Sequence, residues 1–198
     1  MTAEWLRTAV RTSYRWLDSM NATPDESGQL CHDQLIQTET DALGSALTNQ
    51  RNHVLGILDG LTDEQLRRPV LPSGWTCLGM VQHLTISVER FWFRGIVAGA
   101  AEYVGTSDED AKAAWQVPPD VPAAAVLGAY RQEIELANDV IPATSLGQPP
   151  AFWPVEMWPT WRLPDFRAVM LHVITETACH AGHLDAAREL LDGRQWLA

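Results

Sequence analysis

The chain has 198 residues, 46% of them hydrophobic and 20% charged, a balance that supports one self-sufficient core and excludes both a disordered chain and a small cystine-stapled scaffold. Fourteen Lys and Arg against 25 Asp and Glu leave a formal charge of -11, which repels phosphate backbones and anionic lipid, so no nucleic-acid or membrane partner is expected. Cys31, Cys77 and Cys179 are odd in number and form no CxxC pair; neither a disulfide framework nor a thiolate zinc site is expected, and a reducing cytoplasm is the simplest compartment.

Residues 2–20 place Trp5, Leu6, Ala9, Val10, Trp16, Leu17 and Met20 at near-helical spacing before the turn-forming run NATPDESG. An N-terminal helical extension with a linker over residues 1–36 is therefore expected. It lacks the uninterrupted apolar core of an export signal, and no stretch of the chain reaches bilayer-spanning length.

Residues 37–198 are expected to form one helical domain. From Thr38 to Leu61, Leu43, Leu47, Val54, Leu58 and Leu61 recur three, four or seven apart, one apolar stripe on a helix ending near Gly60. Thr62 with Gln65 three residues on is a capping box for a short helix. After the turn LPSGW, Thr76 can cap a helix running to about Ala98, with Leu84, Val88 and Phe91 on one side and His83 inside it.

A short helix near Asp108–Trp115 precedes a long one over Pro122–Ile141, which opens on proline in its first turn. The segment from Pro142 to Pro164 holds six of the twelve prolines together with Trp153, Trp158 and Trp161. Proline excludes regular helix there, and the tryptophans predict an ordered loop packed on the body. Pro164 opens and Gly193 closes the last helix, with Val169, Val173, Leu184, Leu190 and Leu191 as its apolar contacts. Four long helices without alternating segments make an all-α four-helix bundle the expected fold.

In the last helix, HVITETACHAGHLD places His172, Glu176, His180 and His183 four, four and three residues apart. At roughly 100° per residue they project at about 0°, 40°, 80° and 20°, all on one face. Burying such a stripe without partners is costly. Two imidazoles and a carboxylate, with His83 from another helix, suit a divalent metal such as Zn, Fe, Ni or Mn. The pattern also fits a solvated face with an ordinary Glu176–His180 pair, or hydrogen-bonded core histidines. Cys179 reads as a packed small hydrophobe, and His32 and His53 as structural or exposed.

Arg90 and Arg94, seven and eleven residues beyond His83, share its face on α-helical spacing and could bind a substrate carboxylate, or else pair with acidic neighbours. The Trp and Pro segment is the natural wall or lid over such a site, with Trp153 and Trp158 as substrate contacts, although it would equally serve to complete the core.

The run LTDEQLRRPVLPSGWTCLGMVQHLTISVERFWFRG with the terminal HVITETACHAGHLDAARELLDG resembles the DinB-like superfamily of four-helix metalloproteins. Within it the likeness is to the actinobacterial branch related to mycothiol-dependent maleylpyruvate isomerase and to mycothiol or bacillithiol S-transferases, and it spans Thr38 to Gly193. The resemblance implies a metal held by His83, Glu176 and His180, zinc foremost with Ni, Fe or Mn as alternatives, and a mycothiol-like thiol as cosubstrate. It implies a metal-dependent thiol S-transferase or thiol-assisted isomerase acting on a small electrophile, and a homodimer. His172 and His183 would orient ligands or handle protons. Metal-dependent hydrolysis without thiol, or a non-catalytic metal- or ligand-binding bundle, are the alternatives. The chain departs from the family pattern in carrying Cys179 before His180, where an arginine or large polar residue is expected, and in its N-terminal extension.

Overall fold

The computed structural model describes residues 38–105 and 107–196. The expected helical extension over residues 1–36, with Cys31 and His32, lies outside them. Among the described residues every regular element is helical and there is no strand, so the fold is the expected all-α bundle.

Helix α1 (Glu39–Ile57) starts on a capping box in which the Thr38 hydroxyl accepts from the Asp41 amide and the Asp41 carboxylate accepts from the Thr38 amide. Each side chain satisfies an end amide that the helix leaves free. Its far end is closed from a distance. Arg188 donates to the carbonyls of Ile57 and Asp59 at 2.7 and 2.8 Å while gripping the Asp192 carboxylate with Nε and Nη2. Helix α2 (Asp63–Arg67) uses the predicted Thr62–Gln65 box.

Helix α3 (Cys77–His83), capped by the Thr76 hydroxyl, runs without a break into a π-helical stretch over Leu84–Val97. The extent is as predicted, but the pitch is not. Hydrogen bonds that close five residues back take more residues per turn than the 3.6 of an α-helix, so face assignments carried beyond His83 at 100° per residue fail.

Helix α4 (Asp108–Ala113) begins on a Ser107–Asp110 box, and α5 (Ala123–Ala143) follows Pro122. Pro142 lies inside the last turn of α5, so the loop expected from Pro142 starts only at Thr144. Its order is as expected: Phe152 N–H donates to the Ile96 carbonyl, and the amides of Phe166 and Arg167 donate to Gln148 and Leu146. Helix α6 (Phe166–Asp192) is capped by Asp165 and terminated by Gly193 at φ 79°, a left-handed position that glycine takes without strain.

Helix α1 packs mainly on α6, and the π-helical stretch packs on α5 and α6. Leu47, Val54, Leu78, Leu84, Phe93, Ile96, Val169, Val173 and Leu184 form the centre of the core. Leu190, expected among the apolar contacts, is instead 58% exposed, while Leu191 packs on the core.

The interior also holds ions that the hydrophobic pattern did not announce. Arg51 and Glu89, 2% and 1% exposed, form a two-pronged pair with Nε and Nη2 donating at 2.7 and 2.5 Å. Arg51 Nη1 reaches Asn138 Oδ1 at 3.0 Å. Nearby, Glu133 accepts from Arg90 Nε at 2.8 Å and from Arg94 Nη1 at 3.1 and 3.2 Å.

Candidate functional site

The site begins with a close backbone approach. A Cβ at Gly79 would stand 2.5 Å from the Trp115 carbonyl oxygen, so glycine is what lets the segment after α4 lie against α3. The Gln82 amide then fastens that segment by donating to the carbonyls of Ala113 and Gln116 at 2.6 and 2.9 Å. Trp115 is thereby laid flat on His83, with ring centroids 4.0 Å apart and planes 13° from parallel.

At its edge His83 meets the ring of His180, 4.9 Å away and nearly perpendicular, and Trp115 reaches the same His180 ring at 6.0 Å. Burial and the neighbouring His180 imidazole push the His83 pKa down to about 4. Burial also lowers the His180 pKa, although Glu176, whose Oε2 lies 3.5 Å from His180 Nε2, acts in the opposite direction. Both rings are therefore neutral near pH 7 and keep lone pairs for a ligand.

The Nδ1 atoms of His83 and His180 are both buried with no hydrogen-bond partner. A buried polar atom left unpaired costs about 1–3 kcal/mol, and two on adjacent rings call for a ligand or another explanation.

His83 and Glu176 open onto a cavity of about 450 Å³. Phe91, Trp92, Met157 and Trp158 form its apolar wall, and Ser87, Tyr103, Ser107, Asp108 and Asp110 give it a polar side. His172 also lines it, edge-on to Trp92 at 4.6 Å, and burial lowers its pKa against the pull of Glu176.

The structure thus brings His83, Glu176 and His180 together from α3 and α6. Among the described residues, however, no three His, Cys, Asp or Glu side chains converge closely enough to enclose a metal ion as they stand. The fit lies in the chemistry of the donors: two neutral imidazoles side by side, each with an unsatisfied nitrogen, and one carboxylate beside them.

The remaining candidates separate. His172 and Trp158 face the cavity, while Trp153 is buried behind the wall, 5.4 Å from Trp158 and 6.2 Å from Trp92. His183 is exposed beyond His180, at 5.7 Å, with the edge of Trp75 at 6.2 Å.

Arg90 and Arg94 do not line the cavity. Their guanidiniums sit on Glu133, and Arg94 Nη2 donates to Tyr103 Oη at 2.5 Å. The wider π-helical turn is the reason a seven-residue step from His83 does not return to its face. Acidic pairing, the second of the two roles read for them, is the one observed.

Cys179 is exposed and not packed, and Cys77 is buried with its thiol pushed up to about 11 by burial. His53, read as structural or exposed, is part-buried and paired with Asp185 at 2.8–2.9 Å.

Trp92, Phe91, Tyr103, Asp108 and Trp115 are contributors that the sequence reading did not single out. Aromatic density in RFWF and a tryptophan ending the short helix were the available signals. Neither says which way a ring points.

Compared with known families, residues 42–193 match the family model described as mycothiol-S-transferase. No curated protein and no solved structure matches the chain. No described helix is long and apolar enough to cross a membrane.

Proposed function

The chain belongs to the mycothiol-S-transferase family, a DinB-like family, and on that premise we propose that it is a metal-dependent transferase moving a mycothiol-like thiol onto a small electrophile. Membership itself carries the coarser statement, a transferase related to mycothiol. What supports the finer one is the pair of adjacent neutral imidazoles, His83 and His180, whose Nδ1 atoms are buried and unpartnered beside Glu176.

In this reading His83, Glu176 and His180 would hold a divalent ion, zinc foremost, with nickel, iron or manganese as the other ions such donors accept. When bound, the ion supplies the charge that lowers the pKa of a thiol toward neutrality. The chain's own residues do the rest. Phe91, Trp92, Met157 and Trp158 exclude water and hold the apolar part of the electrophile. His172, neutral on the cavity wall, takes up the thiol proton on a ring nitrogen and returns it to solvent. Trp115 fixes the plane of His83, and His183, exposed 5.7 Å from His180 and off the cavity lining, would act only through His180.

Transfer is preferred over thiol-assisted isomerisation because the arginines that would clamp an acidic substrate are engaged by Glu133. The bundle over residues 37–198 and a homodimer belong to the same proposal, and light scattering tests the latter.

The reading is tested by incubating the full chain, loaded with each of the four metals in turn, with mycothiol and a benzylic or epoxide electrophile. Thioether formation that requires both metal and thiol is expected. Conversion that proceeds equally without thiol would make the protein a hydrolase and contradict the proposal.

A further inference from the structure

Resting on the transferase reading, we infer that the Tyr103 hydroxyl donates a hydrogen bond to the electrophile, and that the electrophile best served is an uncharged aryl molecule whose own oxygen receives the electron pair when sulfur attacks, an aryl epoxide foremost. The inference comes from what stands behind Tyr103.

The local sequence builds that backing. A Cβ at Gly95 would stand 2.8 Å from Val104 Cγ2, so glycine lets the single turn of 3-10 helix over Ala101–Tyr103 lie against the π-helical stretch. The Ala100 amide donates to the Arg94 carbonyl, and the Tyr103 amide to the Ala100 carbonyl, each at 3.0 Å. Tyr103 is thereby brought back onto Arg94. The guanidinium carbon of Arg94 lies 3.9 Å from the centre of the tyrosine ring, and its Nη2 is 2.5 Å from the hydroxyl. Buried Glu133 holds the same guanidinium through Nη1 at 3.1 and 3.2 Å.

Arginine carries no acceptor, so in this contact Tyr103 Oη accepts and keeps its own proton to give. Among the described residues nothing takes that proton. Arg94 covers one face of the ring from behind the wall, while Tyr103 lines the cavity onto which His83 and Glu176 open. The unused donor therefore serves what fills the cavity. Accepting from a charged group also polarises the O–H bond and makes it a stronger donor. Ser107, another hydroxyl on the lining, is closed on Asp110, donating to its carboxylate at 2.7 Å and accepting from its amide at 3.0 Å. No other hydroxyl on the lining accepts from an arginine.

A donor fixed before reaction acts most strongly on charge that develops during it. In the reading above the thiol lies at the ion, so the partner for a developing oxygen anion falls to the protein. For an aryl epoxide the step balances. The thiol sulfur bonds to an epoxide carbon, the carbon–oxygen bond breaks, and the oxygen keeps the pair and takes the Tyr103 hydroxyl proton. The proton given up by the thiol restores that hydroxyl by way of solvent, and no leaving group departs. The aryl group packs on Phe91, Trp92 and Trp158.

Binding tests the donor without turnover. Acetophenone and ethylbenzene, alike but for the oxygen, are titrated calorimetrically into the full chain. Tyr103→Phe keeps a ring over Arg94 and should lower the affinity for acetophenone relative to ethylbenzene about three- to tenfold. An unchanged ratio would overturn the inference. Should the variant fail to fold, the carbonyl stretch of acetophenone bound to the unaltered chain decides. It should fall below its frequency in cyclohexane and stay there after chelation; a stretch that is unshifted, or shifted only with metal present, would overturn the inference.

Turnover with mycothiol separates the inference from the reading it rests on. The ratio of styrene oxide to benzyl chloride turnover should fall about a hundredfold in Tyr103→Phe, and a constant ratio would overturn the inference. Turnover of neither by the unaltered chain would contradict the transferase reading, while acetophenone binding would still decide the role of Tyr103.

Discussion

Two polar clusters sit inside the same bundle and are treated in opposite ways. Around Arg51, Glu89, Asn138 and Glu133 the groups interlock: Arg51 grips Glu89 with two nitrogens and reaches Asn138 with a third, and Glu133 accepts from two arginines. Around His83, His180 and Glu176 the rings touch, yet two buried nitrogens have no partner. A closed ionic network holds helices in register, whereas an open one is poised to receive something. In the proposed reading the first cluster is architecture and the second is the site.

The largest expected effect breaks the closed cluster. Arg51→Met would leave Glu89 buried without its counter-ion and should lower unfolding stability by about 3–5 kcal/mol, read from urea unfolding. A loss near zero would mean the ions are solvated and the contrast is false.

Next in size is the open cluster's response to metal. A divalent ion at a hundredfold excess over its dissociation constant should raise stability by about 2.7 kcal/mol. The gain should vanish in His180→Ala. A gain that survived that change would place the ion elsewhere.

A pH titration of chelator-treated protein sharpens the comparison further. The folded His83 pKa is about 4, against an ordinary 6.5. The unfolded chain therefore takes up this proton first as pH falls, so its contribution is whole above pH 6.5 and is lost on the way down to about 4. Its share of the slope is at most about 1.4 kcal/mol per pH unit, and His83→Phe should flatten it.

The smallest effect lies at the edge of the closed cluster. Arg90 is about a third exposed, at 32%, so Arg90→Met should cost no more than about 1 kcal/mol. Thioether formation should persist, because Arg90 lies off the cavity. A collapse of activity would restore the substrate role read for it from the sequence.

Much of this architecture was legible beforehand, because it depends on local chemistry. The capping residues Thr62 and Thr76, and Gly193 at the end of α6, mark helix ends that the structure keeps. The stripe of His172, Glu176 and His180 was legible because α6 is regular over its length. Arg90 and Arg94 were misplaced because periodicity assumes an α-helical pitch, and the π-helical stretch does not have one. Trp115 stacked on His83 was invisible for another reason. Its placement depends on Gly79 and Gln82 reaching a segment more than thirty residues away, a relation no local pattern encodes.

The central claim is that the open cluster holds a metal, and the most direct test is the metal content of untagged full-length protein, measured by elemental mass spectrometry beside His83→Ala and Glu176→Ala. The account predicts about one divalent ion per chain, lost in both variants while each keeps its helical content. No bound ion after reconstitution with zinc, nickel, iron and manganese, or an ion retained in both variants, would contradict it.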